Sequence, residues 1–224
     1  ESSGQKIGTI SVATAPTCSL LADTPKRGPR HAGISELIVA MDSPGIEVRP
    51  IEDMTGNRHF CEVFFDGVRV PAANLVGEEG NSFRQTMRQL EQEGGGIDRR
   101  VSNRALYREA GDRADSADPL VRQEIAALES HYRIGRLLVL REVLGQAPKQ
   151  FSAATKTFCT EHEQRVADFV GRMLGPEATL AGRAARGVCY APAYTIMGGT
   201  SNILRNILGE RTLELPREPS PGQR

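Results

Sequence analysis

The chain has 224 residues, 39% hydrophobic and 25% charged, with 28 basic and 28 acidic side chains that cancel. That is enough for one large domain or two small ones with a real core. The balanced charge excludes a whole-chain field that would draw the protein to nucleic acid or to an anionic membrane.

No apolar run approaches the ~18 residues of a membrane span, and no secretory leader opens the chain, so a cytoplasmic protein is expected. Cys18, Cys61, Cys159 and Cys189 are far apart and lack metal-ligand spacing; reduced thiols are expected, with no disulfide framework and no metal site. The first residue is Glu1, and "ESSGQKIGTISV" already reads as a strand in progress. Further sequence on its N-terminal side is therefore expected.

Residues 1–76 read as β-rich. "KIGTISVA", "CSLLAD", "ISELIVAMD", "IEVRPI" and "CEVFFDGVRVP" are short runs rich in β-branched and aromatic residues, punctuated by "TPKRGPRHAG", "SPG" and "MTGN". In "EVFFDGV" the pair Asp66-Gly67 suits either a two-residue hairpin turn or a bulge. A small antiparallel sheet or barrel is expected.

From about residue 80 the period changes to that of helices. "NSFRQTMRQLEQE" carries Phe83, Met87 and Leu90 at helical spacing. The segment 118–144 opens on Asp-Pro, a capping residue followed by a first-turn proline, with Val121, Ile125, Leu128, Tyr132 and Leu138 along one stripe. Residues 152–174 repeat the theme and stop at Gly175-Pro176. A helix is expected over 181–197, broken by Pro192, and a last one over 200–208. "RALYREAGDRADSADP" reads as charged and exposed at its end. The expected class is α+β: a small antiparallel β-domain over 1–78, incomplete at its N-terminus, followed by an up-down helical bundle over 79–224.

Two glycine clusters stand out. In "YTIMGGTSNILRNILGERTLELPRE", Gly198-Gly199 permits a sharp turn, and Thr200 or Ser201 can cap the helix that follows. Such a helix start can hold an anion; it is also what an ordinary helix–helix turn looks like. In "LEQEGGGIDRR", three glycines either end a helix or admit something close to its backbone, and Glu93 stands at the lip, by itself a solvated surface glutamate. His31, His59, His131 and His162 are scattered, with no spacing that supports a triad or a metal site. Arg133, Arg136 and Arg141 lie on a mostly apolar helix and suit ion pairs or subunit contacts.

Taken together the segments resemble the acyl-CoA dehydrogenase family. "ISELIVAMDSPGIEVRPIEDMTGNRHFCEVFFDGVRVPAANLVGEEG" is similar to its middle β-domain with the exit into its helical domain, and "YTIMGGTSNILRNILGERTLELPRE" is similar to its C-terminal signature; the two occur in the family's order. The resemblance implies an FAD-dependent enzyme that removes an α-proton and a β-hydride from an acyl-CoA thioester, giving the trans-2-enoyl-CoA, and passes electrons to an electron-transferring flavoprotein or another acceptor. It implies that Gly199, Thr200, Ser201 and Asn202 line the FAD site and that Gly198 offers its backbone N–H to the thioester carbonyl.

In many members the residue at Gly198 is the catalytic glutamate. A subset carries the base on an earlier helix in a Leu-x-x-Glu-Arg context, which the resemblance places at Glu93, with Leu90 against the substrate and Gly94 where arginine is usual. The chain also departs from the family in having Gly8 where Trp or Phe is common and in lacking the Arg-x-x-Phe-Gly element. The resemblance further implies a homo- or hetero-oligomer, a dimer or tetramer, and a bulky acyl group such as a steroid side chain is a plausible substrate. The alternative is a non-catalytic structural subunit that completes another subunit's site.

Overall fold

The computed structural model describes residues 1–24, 32–93 and 102–217, except for the side chains of residues 90–93. The chain divides into two compact units, Glu1–Gln89 and Leu90–Arg224. It is an α+β protein of two small antiparallel sheets and six α-helices among the described residues.

The β-strands of the first unit are β1 (Ser2–Ile10), β2 (Thr17–Asp23), β3 (Ile34–Ala40), β4 (Ile46–Ile51), β5 (Phe60–Val68) and β6 (Leu75–Val76). One sheet has the order β1-β5-β4 and the other β2-β3-β6. Alternation drives the packing: Cys61, Val63 and Phe65 of β5 point inward, as do Leu20 and Val39 from the second sheet, and together they form one core between the sheets.

Asp66-Gly67 is a bulge and not a turn. Ser2 pairs with Val68 and Gly4 with Phe65, so two residues of β5 oppose Ser3 alone, and the Gly67 amide donates to Ser3 Oγ at 3.0 Å. The extra residue resets the phase, so the buried series 61, 63, 65 resumes at Val68. A second register shift lies between Ile7 and Thr9, where Gly8 has φ of 81° and open space beyond its Cα. Helix α1 (Ser82–Glu93) starts beside β3, with Ser82 Oγ accepting from the Glu36 amide at 2.7 Å.

The second unit contains α2 (Arg104–Arg113), α3 (Pro119–Val143), α4 (Phe151–Leu174), α5 (Arg183–Tyr194) and α6 (Ser201–Ile207). Asp118 caps α3 by accepting from the Leu120 amide at 2.8 Å. The central element is α4, which touches α2, α3, α5 and α6. Its Val166, Phe169, Val170 and Leu174 meet Leu106, Tyr107 and Ala110 of α2 and Leu128 and Tyr132 of α3 in one apolar cluster.

The structure corrects the sequence reading at Pro192 and adds to it at two other places. The stretch read as charged and exposed at its end opens with α2, which is not among the expected helices: Leu106, Tyr107 and Ala110 share one buried face, while residues 115–117 at its end are exposed. Pro192 does not break α5: it sits in the last turn, where Thr195 Oγ1 donates to its carbonyl at 3.2 Å. Among the arginines of α3, Arg141 donates to the Gln146 carbonyl at 3.0 Å and lies over Phe151, a local helix-end contact.

Candidate functional site

The link between α5 and α6 is built by its glycines. Gly198 and Gly199 have φ of 62° and 89°, a left-handed pair that side-chain-bearing residues rarely adopt. The turn closes on itself through the Ser201 amide, which donates to the Thr195 carbonyl at 2.9 Å. Thr200 then caps α6, its hydroxyl accepting from the Ile203 amide at 3.2 Å. Thus Gly198, Gly199, Thr200, Ser201 and Asn202 are brought together on one turn. Gly198, Gly199, Thr200 and Asn202 are exposed, while Ser201 is buried and its hydroxyl has no hydrogen-bond partner among the described residues.

This turn is held from below by one face of α4. Lys156 is 2% exposed, and its Nζ donates to the Met197 carbonyl at 2.6 Å and to the Gly199 carbonyl. Further along α4, Glu161 pairs with Arg205 of α6, and Gln164 Nε2 donates to Thr195 Oγ1 at 2.9 Å. Burying an ammonium costs several kcal/mol in desolvation, and the two carbonyls supply part of the compensation. Lys156 was missed in the sequence. The available signal was a single lysine within "FSAATKTFCT", a run of otherwise small, hydroxylic and apolar residues.

A second polar cluster joins α2, α3 and α4. Glu163 is fully buried and accepts from the Asn103 amide at 2.7 Å. Arg104 forms a two-pronged ion pair with Glu129 at 2.8 and 3.1 Å and lies over the rings of Tyr107 and Tyr132. His131 of α3 and His162 of α4 stack at a centroid distance of 5.6 Å, and His162 meets the Tyr132 ring edge-on. Burial, followed by the neighbouring His131, Arg165 and Arg104 charges, lowers the His162 pKa to about 4, so its ring is neutral at physiological pH. Burial also raises the Tyr132 hydroxyl far above its ordinary value. Two of the four histidines, His131 and His162, therefore meet, and the described residues contain no group of three or more His, Cys, Asp or Glu able to hold a metal. His31 lies outside the described residues, and the four cysteines are free thiols.

Glu93 is the last residue of α1, and Leu90 lies one turn before it. The side chains of both lie outside the described residues, as do Gly94 and its neighbouring glycines.

Residues 96–213 match the family model described as acyl-CoA dehydrogenase, C-terminal domain. The chain is 34% identical to acyl-CoA dehydrogenase IpdE1 of Mycobacterium tuberculosis, over 96% of this chain and 59% of that protein. Among solved structures it resembles the Tcur3481-Tcur3483 steroid acyl-CoA dehydrogenase, with TM-score 0.84, 25% identity, 96% of this chain and 61% of that one. It also resembles the ChsE4-ChsE5 complex of M. tuberculosis, with TM-score 0.81, 26% identity and the same coverage. The chain belongs to the acyl-CoA dehydrogenase family. It spans about three-fifths of the length of these relatives.

FAD is the cofactor this family generally uses, and the residues of the α5–α6 turn fit its polar parts. The turn exposes backbone N–H groups at two glycines that carry no Cβ, together with the Asn202 side chain, and it includes one buried hydroxyl without a partner at Ser201. No described helix is long and apolar enough to cross a membrane.

Proposed function

We propose that this chain is part of an FAD-dependent acyl-CoA dehydrogenase that converts an acyl-CoA thioester to the trans-2-enoyl-CoA. The observation that carries the reading is the α5–α6 turn, where exposed left-handed glycines sit immediately before a capped helix within the sequence signature of the family. Residues 1–78 correspond in this reading to the middle β-domain and 79–224 to the C-terminal bundle.

Gly199, Thr200, Ser201 and Asn202 hold the cofactor, and Gly198 donates its N–H to the thioester carbonyl, drawing charge toward that oxygen as the α-proton leaves. Glu93 takes that proton, since Gly198 has no side chain to do so, and Leu90 lies against the acyl chain. FAD, when bound, supplies the acceptor for the β-hydride, and electrons then pass to an electron-transferring flavoprotein or another acceptor. The named likeness to a steroid acyl-CoA dehydrogenase supports a bulky acyl group.

The full-length protein tests this directly. Purified protein is expected to be yellow and to bleach on mixing with acyl-CoA. Glu93→Gln is expected to keep its flavin while slowing bleaching by roughly 10²- to 10⁴-fold. Unchanged bleaching in Glu93→Gln would remove Glu93 from the base role.

A second reading is favoured by the bare Gly198: a non-catalytic subunit of a hetero-oligomer. The likeness to one chain of a two-protein complex agrees with it. Colourless protein that gains activity when a second polypeptide is added is the outcome that selects this reading over the first.

A further inference from the structure

We propose that Lys156 is a positioning residue that aims and strengthens the Gly198 N–H as a hydrogen-bond donor. The inference rests on the reading above, in which that N–H meets the thioester carbonyl.

The geometry follows from the planarity of the peptide unit. The Met197 carbonyl and the Gly198 N–H belong to one trans peptide, so they point in opposite directions from one rigid plane. The Gly199 carbonyl and the Thr200 N–H are related in the same way. Lys156 Nζ reaches both carbonyls from α4. It thereby fixes two planes, one on each side of the Gly198-Gly199 pair, with their N–H groups directed away from α4.

Glycine has more backbone freedom than any other residue, so two in succession would otherwise leave these planes free to rotate. The Gly198 amide makes no backbone hydrogen bond among the described residues, and the residue is exposed; the donor is available. Gln164 and Arg205 fasten the turn on either side of Gly198, but neither touches the peptide that carries its N–H.

Charge adds to aim. A cationic donor on a carbonyl polarises the amide it belongs to, so the N–H at its other end becomes a better donor, by about 10–30% per bond. Developing charge on a thioester oxygen is stabilised by donors already in place when the α-proton leaves. A buried lysine behind the turn supplies both effects while remaining out of contact with the substrate.

Two measurements on the full-length holoprotein test the proposal. The first is amide hydrogen exchange of residues 198–200 without ligand. Exchange is expected to quicken about tenfold or more in Lys156→Met, an unbranched, uncharged replacement, with the rest of α4 unchanged. The second is the infrared carbonyl stretch of trans-2-enoyl-CoA labelled with ¹³C at the thioester carbonyl, a ligand that cannot be dehydrogenated again. In the native protein it is expected to lie below its value in water, and Lys156→Met is expected to lose about half of that displacement or more, with kcat about tenfold lower and KM little changed.

Native-like exchange and an unshifted stretch in folded Lys156→Met overturn the proposal. Should that variant not fold, Lys156→Gln, which keeps a donating amide group and no charge, is read in the same way. If both unfold, Lys156 is a residue of the core alone and the proposal is overturned. If the native protein leaves the thioester stretch at its value in water, the reading of the substrate site fails, while the exchange measurement still decides whether Lys156 orders the turn.

Discussion

At Gly45, in the turn that leads into β4, the backbone passes within reach of β5. A Cβ built there would lie 2.2 Å from the Asp66 carbonyl oxygen, and φ is 92°. The close approach lets the Gly45 carbonyl accept from the Asp66 amide at 2.9 Å, immediately before the bulge at Asp66-Gly67. Backbone cannot move aside as a side-chain end can, so Gly45→Ala is expected to cost about 3 kcal/mol. A lower urea midpoint at unchanged slope would register it, and an unchanged midpoint would contradict it. The same scale of reasoning applies at Gly198 and Gly199. "GGTSN" advertised a sharp turn before a helix, and the left-handed dihedrals agree. What the string could not disclose is Lys156, because a carbonyl clamp depends on which residue of a distant helix faces the turn.

Short helices depend on their ends. The seven residues of α6 cannot sustain a helix through propensity alone, and the Thr200 hydroxyl satisfies an amide that would otherwise have no partner. Thr200→Ala is expected to cost about 1 kcal/mol locally, seen as faster amide exchange over residues 203–207, whereas Thr200→Ser should largely retain protection. Element recognition from sequence succeeded where local signals agree. Asp118 followed by Pro119 opens α3 as its capping chemistry implies, and Gly175 ends α4. It failed at α2, where an apolar triplet is outnumbered by charged neighbours and helicity follows from docking Leu106, Tyr107 and Ala110 against α3 and α4. For Pro192 the missing N–H matters little so close to the helix end.

Across the bundle, α4 is unusual in burying charge and aromatic nitrogen as well as hydrocarbon. His162 is held neutral with its pKa near 4, against 6.5 when unperturbed. It faces His131, Tyr132 and Glu129 of α3, Arg165 of its own helix and Arg104 of α2. Because the folded pKa is depressed for a base, the unfolded chain binds the proton first as pH falls. His162's contribution is complete above pH 6.5, is lost progressively down to about pH 4, and is flat below that. The loss is on the order of 3 kcal/mol. Denaturant unfolding across this window should show stability falling with acidification, and His162→Phe should reduce the slope by close to one proton. An identical slope in that variant would exclude His162 as its source.

The amino-acid sequence by itself determined five of the six described strands, most of the helices, the α+β class and the family, because each follows from periods of two and 3.6 residues, from caps and breakers, and from a short signature around Gly198. Tertiary structure decided which buried polar groups meet. The stacking of His131 on His162, the docking of Asn103 onto Glu163 and the reach of Lys156 to two carbonyls all join residues far apart in the chain. Local patterns report the environment a residue prefers. The partner that makes a charge tolerable in a core is chosen by helix packing, and packing is a property of the whole fold.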